Sequence, residues 1–303
     1  LFVNCEQESN RPSTEKLALL SDGAVGVSLL GERLFSTPQS SGEAYEKMLE
    51  AKEKYEKNPG DADAIIWYGR RLAYTGRYIE AINVYSEGLK KHPEESRLYR
   101  HRGHRFLTLR MLDRAIEDFE YATTLFKGKK DVIEPDGNPN IRNTPISSLQ
   151  INTWYHLALC YYMKNDMNNS LRGWNECLKV SVNPDMFTAT SHWLYMTLRR
   201  MGRDQDAEEV LEPITEDMDV FENMAYYYLL LFYKGIYTEE DLFSKESSVL
   251  GYMFEGTKYG LANWYYYNGN IDKAKNMFQE IVDKPGWGSF AAITAEADLS
   301  RMK

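Results

Sequence analysis

The sequence predicts an all-α protein, a solenoid of stacked helical hairpins. Three observations predict it. Matching residue types recur 34 positions apart: Gly69 with Gly103, Ala81 with Ala115, Tyr85 with Phe119, Gly88 with Ala122, and again Gly235 with Gly269. Small residues stand where two helix axes would cross at close range, at Gly69, Gly103, Ala158 and Ala262 in one helix of each hairpin, and at Ala81, Ala115, Ser170, Ala207 and Ala274 in the other. Helix stops are placed accordingly. Gly76, Gly202, Gly235 and Gly269 suit the left-handed turn that ends a first helix, and Pro93 and Pro285 follow second helices that they cannot continue.

The elements follow in order. Residues 1–41 contain Ser, Gly and Pro and read as an extended segment or tether, with one apolar patch from Val25 to Phe35. That patch is apolar enough to lie in the channel of the solenoid and fill it. A helix over 42–57, with Tyr45, Met48, Leu49 and Tyr55 on one face, caps the open end of the stack. Hairpins are expected near 62–95, 96–127, 151–184, 188–218, 221–250 and 255–288, all in one domain over 42–303. The register jumps by 55 residues between the second and third. The excess lies in an insertion at 128–150, rich in Pro, Asn and Asp and long enough to serve a function. A closing helix occupies 289–303. Thr238 to Asp241 and Asp219 to Glu222 look like N-terminal capping boxes. Overpacking by Ala81→Leu or Ala115→Leu is expected to cost about 1–3 kcal/mol.

The spaced residues resemble the tetratricopeptide repeat, or TPR. Repeat one supplies Gly69, Leu72, Gly76, Tyr78, Ala81, Tyr85, Gly88, Leu89 and Pro93, and repeat two Gly103, Phe106, Ala115, Phe119 and Ala122. Repeat three supplies Trp154, Leu157, Ala158, Tyr161 and Leu178, and repeat four Leu194, Leu198, Gly202, Ala207 and Leu211. Repeat five is degenerate, keeping Leu231, Gly235 and Tyr237; repeat six supplies Leu261, Ala262, Tyr265, Gly269, Ala274 and Phe278. The resemblance implies a right-handed α-solenoid of about six hairpins with capping helices. It also implies that the first helices line a concave face, where such proteins hold partners.

Composition narrows the function. The net charge is −9, which argues against a nucleic-acid partner, since phosphate backbones call for a basic surface. The 22 Tyr and six Trp require many half-buried positions, with a packed ring and a wet polar tip. No apolar stretch reaches membrane-spanning length. Three Cys are too few for a disulfide framework, and Cys160 and Cys177 read as small core residues. Cys5 differs. It ends the apolar stub Leu1-Phe2-Val3-Asn4-Cys5, which resembles the tail of a bacterial lipoprotein signal with Cys5 as the lipidated residue, although Phe2 and Asn4 depart from that pattern. The resemblance implies an exported, periplasmic or membrane-anchored protein tethered through Cys5. The other reading is a plain N-terminal segment of a cytoplasmic protein.

Projecting the TPR inner positions onto the chain makes the first half of the groove basic. Arg70, Arg97, Arg100, His104 and Arg199 point to an anionic or polar group on a protein or peptide. Some TPR proteins clamp a peptide's terminal carboxylate this way, and Arg97, Arg100, His104 and Asn152 are placed to do the same without the family's usual Lys–Asn arrangement. Tyr155, Tyr162 and Tyr266 offer rings. The alternative is a small-anion or small-molecule site, or an enzyme, roofed by the 128–150 insertion and centred on His104, Tyr155, His156 and His192. In the plainer reading His101 and His156 only pack, and Arg102 and Arg105 only pair with acidic residues of neighbouring helices. No Gly-rich phosphate loop, Ser–His–Asp order or HExxH helix is visible, so no catalytic residue, metal ligand or cofactor is assigned. The loop Asp136-Gly137-Asn138-Pro139-Asn140 lacks the closing Glu of a calcium site and reads as a turn.

Overall fold

A computed structural model describes residues 11–246 and 253–302. Cys5 and the second part of the fifth predicted hairpin beyond residue 246 lie outside the described residues. Those residues form fourteen helices and one small strand pair. They fall into two compact units, Leu1–Asp131 and Val132–Lys303.

The first unit holds α1 (Glu43–Lys57), α2 (Ala62–Tyr74), α3 (Tyr78–Lys91), α4 (Ser96–Thr108) and α5 (Leu112–Phe126). Consecutive helices pack as antiparallel neighbours, and α2 also touches α4, as first helices of adjacent hairpins do. Asp61 starts α2 by accepting from the Ala64 amide at 2.8 Å. Ala81 and Ala115 are fully buried at the crossings. A β-carbon on Gly69 would lie 2.3 Å from the Tyr85 ring, and one on Gly103 would lie 2.9 Å from Phe119. Gly69→Ala is therefore expected to cost about 1–3 kcal/mol by overpacking, read from the urea midpoint of the variant against the parent.

The hairpin turn shows a regularity that the sequence conceals. All six hairpins put one residue in the left-handed region: Gly76, Arg110, Asn165, Gly202, Gly235 and Gly269. Arg110 stands 34 residues after Gly76, so the turn kept its geometry where the glycine was lost.

The described part of the N-terminal segment runs along second helices and turns. The Asn83 side chain of α3 pairs with both backbone groups of Leu17, at 2.8 and 2.9 Å. Gln39 donates its amide to the Thr75 carbonyl, and Ser36 donates to Gly76. Within the apolar patch, β1 (Gly26–Val27) pairs antiparallel with β2 (Arg33–Leu34), and Gly26 lies against the Leu109 carbonyl in the second hairpin's turn. Whether Val25–Phe35 fills the channel was open from the sequence; the structure sets Gly26 and Leu34 beside Leu109 of that turn. Leu34 of the patch and Ala24 just before it are buried.

The second unit holds α6 (Leu149–Met163), α7 (Met167–Val180), α8 (Pro184–Arg200), α9 (Asp204–Leu211), α10 (Met224–Tyr233), α11 (Glu239–Glu246), α12 (Met253–Tyr267), α13 (Ile271–Val282) and α14 (Phe290–Arg301). Ser148, Asn183, Asn270 and Ser289 cap their helices through side-chain oxygens. The insertion is anchored inside this unit. Arg142 grips Asp219 with two bonds of 2.7 and 2.6 Å, and Asn140 reaches Glu222.

The last helix is more than an end cap. It packs on α12 and α13 and also returns to α6, the first helix of the unit. Nine of its twelve residues are buried, Glu296 and Asp298 among them. Asp298 takes two bonds from Arg200 of α8, both 2.7 Å, and one from the Tyr259 hydroxyl of α12 at 2.9 Å. Arg301 bonds the Met163 carbonyl of α6 at 2.8 Å. The inner helices of this unit close on themselves and bury what they enclose.

Candidate functional site

Helix α4 carries Arg97, Arg100, His101, His104 and Arg105 at helical spacings of three and four, so all five share one stripe facing α2. Arg102 and Gly103 face the other way. Arg102 is completely buried there and grips Asp118 of α5 with bonds of 2.8 and 2.6 Å, while also donating to Ser86 of α3 at 3.0 Å. Burial pushes the Asp118 carboxyl up, and the Arg102 guanidinium works against that push.

The inner stripe meets Arg70, Ala73 and Tyr74 of α2 and the ring of Tyr85. Together with Arg100, His101, His104 and Arg105 these residues line a cavity of about 100 Å³. Three guanidiniums and two imidazoles thus share one small space whose described lining holds no carboxylate. Arg100 is buried, and its Nη1 donates to His101 Nδ1 at 3.0 Å. The bond makes Nδ1 an acceptor, so His101 is neutral and carries its proton on Nε2. Burial, then the charges of Arg100, Arg70, Arg105 and Arg97, hold its pKa well below the usual range. Burial also pulls the Arg105 guanidinium down, and Tyr85, Tyr74 and Tyr78 oppose the fall. The Arg70 guanidinium sits 4.4 Å over the ring of Trp67. Trp67 also walls a larger groove of about 520 Å³ between α1 and α2.

Of the residues that the sequence singled out, Arg70, Arg100 and His104 come together in this cavity. Arg97 does not join them: Glu95 takes two of its bonds, at 3.0 and 2.7 Å, and Asp63 a third at 2.6 Å. Arg105 and His101, read from sequence as pairing and packing residues, line the cavity instead. The spacing of the stripe on α4 was the available signal for both.

The remaining candidates belong to the second unit and are occupied structurally. Asn152 bonds Glu134 and donates to Ser147 at 2.9 Å. Tyr155 packs edge-on to Trp174 at 5.1 Å, and His156 bonds the Asn152 carbonyl and meets Phe290 of α14 at 5.4 Å. Tyr162 is fully buried and accepts from Asn263 at 3.0 Å. Arg199 donates to Tyr195 and Asn268, each at 3.0 Å, and stacks on Tyr267. Tyr266 lies beneath the Arg200 guanidinium at 4.5 Å.

His192 has no solvent exposure and is stacked between Tyr226 at 4.7 Å and Tyr233 at 5.8 Å. Neither ring nitrogen has a hydrogen-bond partner among the described residues. Burial lowers its pKa from 6.5 to about 3, so it is neutral at ordinary pH. Between those values the unfolded chain binds the proton and the folded chain does not. The stability present above pH 6.5 is therefore lost as pH falls toward 3, at about 1.4 kcal/mol per pH unit from this residue. Denaturant unfolding at pH 7 and pH 5 is expected to show a smaller difference in His192→Phe than in the parent.

Cys160 and Cys177 are buried free thiols, and burial pushes Cys177 up to about 12. Among the described residues, no group of three His, Cys, Asp or Glu side chains is placed to hold a metal ion. No helix among them is long and apolar enough to cross a membrane.

The family profile described as the tetratricopeptide repeat matches residues 257–286, within the α12–α13 hairpin. No curated protein matches the sequence. Solved structures similar to the chain include YrrB, described as a TPR protein with an unusual peptide-binding site. It shares 15% identity over 77% of this chain and 91% of its own, with a TM-score of 0.43. A MamA RS-1 ArsTM double mutant shares 14% identity over 64% of this chain and 88% of its own, with a TM-score of 0.44. The P58(IPK) TPR domain shares 12% identity over 80% and 79%, with a TM-score of 0.26. One repeat, residues 257–286, thus matches the tetratricopeptide repeat in sequence, and the same left-handed hairpin turn and close helix crossings recur in both units of the all-helical chain.

Proposed function

We propose that this chain is a binding module for a protein or peptide, and that the first unit's inner face takes an anionic group of the partner. The observation that carries the reading is the cavity between α2 and α4, on which Arg70, Arg100 and Arg105 converge beside His101 and His104. Arg is the side chain best suited to grip an oxyanion through two bonds. The groove walled by Trp67 lies next to this cavity and has room for the rest of an extended ligand, with Lys47, Lys54 and Arg71 set among Glu50, Asp61 and Asp63 in its lining.

The test is fluorescence anisotropy with acidic, neutral and basic peptides of equal length, against the parent and Arg70→Ala/Arg100→Ala. Acidic peptides are expected to bind, with affinity falling as salt rises. The double variant is expected to lose about tenfold or more, since a charged hydrogen bond contributes about 1.5–3 kcal/mol. Binding that ignores peptide charge, or an unchanged affinity in the variant, overturns the reading.

A further inference from the structure

The left-handed turn residues put the hairpins of both units in one register. Counted from Arg110 and from Gly202, Ser191 takes the place of Tyr99, Leu194 that of Arg102, Val210 that of Asp118 and Pro213 that of Tyr121.

In the first unit the side of α4 that Arg102 faces, between the second helices α3 and α5, is filled. Tyr99 is fully buried and packs edge-on to Tyr121 at 4.9 Å, and Arg102 grips Asp118. The chain's own residues 11–17, which form no helix, bridge the two flanking helices. Arg11 donates to the Tyr121 hydroxyl at 3.4 Å, Lys16 pairs with Glu87 at 3.3 Å, and both backbone groups of Leu17 bond Asn83.

In the second unit apolar or smaller residues stand at those places, and the matching side of α8 is open. Leu171 of α7, Phe187, Ser191 and Leu194 of α8, and Val210 and Pro213 of α9 line a groove of about 340 Å³ there. Leu171, Phe187 and Val210 stay half-buried. Ser191 is only 1% exposed, and its hydroxyl has no hydrogen-bond partner among the described residues. A buried hydroxyl in that state favours a ligand group that reaches it. The rim sets the charge. Residues 204–219, which hold α9 and the stretch after it, carry eight carboxylates and no Lys or Arg. Asp206 and Glu209 line the groove together with Arg203, which pairs with Asp206 at 2.6 Å. Such an edge attracts basic side chains.

We propose that the groove between α7 and α9 docks an extended, basic segment of a partner protein, with apolar side chains inward and Lys or Arg along α9. The first unit holds a precedent within the chain, since residues 11–17 bring Arg11 and Lys16 to the matching place. The exposed side-chain amide of Asn175, also in the lining, is available to pair with a backbone as Asn83 does with Leu17. The site belongs to the other unit and prefers the opposite charge to the anion cavity, so it stands independently of that reading.

The test uses short labelled peptides that alternate Leu with Lys, Leu with Glu, or Ser with Lys, each titrated against the full chain by fluorescence anisotropy. The Leu–Lys peptide is expected to bind at least about tenfold tighter than either of the others. Glu209→Lys reverses a charge on the rim and is expected to weaken that binding about threefold and to reduce its salt dependence. Ser191→Tyr introduces the ring found at the matching position, fills the groove and is expected to weaken binding at least about tenfold. Glu209→Lys lies at an exposed position and carries the test should Ser191→Tyr fail to fold, which its melting temperature reports. Leu–Lys binding unchanged in the folded variants overturns the site. Equal binding of the Ser–Lys and Leu–Lys peptides leaves charge alone and overturns the groove. Sedimentation velocity checks for a second copy: a parent dimer that becomes a monomer in Ser191→Tyr makes this chain its own ligand and overturns the partner assignment. No binding of the Leu–Lys peptide overturns the proposal.

Discussion

Arg102→Met is expected to destabilise the first unit by about 3–5 kcal/mol. The guanidinium and the Asp118 carboxylate both have zero side-chain exposure, and Arg102 also satisfies Ser86. Removing the cation leaves a carboxylate with no water and no partner, which is the costly way to break a buried pair. The double variant Arg102→Met/Asp118→Leu removes both charges at similar volume and is expected to recover most of the loss. Hydrogen exchange across α3, α4 and α5 checks this, because it reports the first unit separately. A single variant as protected as the parent contradicts the account. So does a double variant no better than the single one.

Asp298→Ala is expected to cost a similar amount, about 3–5 kcal/mol, in the second unit. Its carboxylate is buried and holds Arg200 and Arg301 together with the Tyr259 hydroxyl. Without it the buried Arg200 guanidinium keeps only Asn263, at 2.7 Å, and the rings of Tyr162 and Tyr266. The rings around Trp193, which include Tyr162 and Tyr259, report the damage through near-ultraviolet circular dichroism. A variant that keeps both this signal and the parent's urea midpoint shows that α14 is held by its apolar residues alone.

Local rules carried much of the fold into the sequence. Gly69 and Ala81 are small because helices cross there, and Gly76 and Gly269 end helices because the turn demands a left-handed residue. Such requirements act over a few residues and leave a mark at fixed spacing. Arg110 and Asn165 adopt the same turn without glycine, so composition hid what geometry preserved. The placing of α14 was not legible for a different reason. Its sequence, with Thr294, Glu296 and Asp298 among alanines, reads as a half-polar terminal helix. Its polar residues face inward because Arg200 and Tyr259, far away in the chain, are there to meet them. The basic cavity was partly legible. The stripe on α4 is written in the spacing of Arg100, His101, His104 and Arg105, but Arg97 belongs to that stripe by position and is drawn off by Glu95, two residues upstream.

The return of α14 to α6 changes what kind of object the second unit is during folding. In an open array each hairpin touches only its neighbours, so ends fray, the array unzips step by step, and stability grows with every added repeat. Here Arg301 reaches Met163 across 138 positions and Asn263 reaches Tyr162 across 101. Those contacts form only after a long loop has closed, which slows folding and ties the first helix to the last. The second unit is therefore expected to unfold in one cooperative step, with α6 and α14 losing protection together in hydrogen exchange.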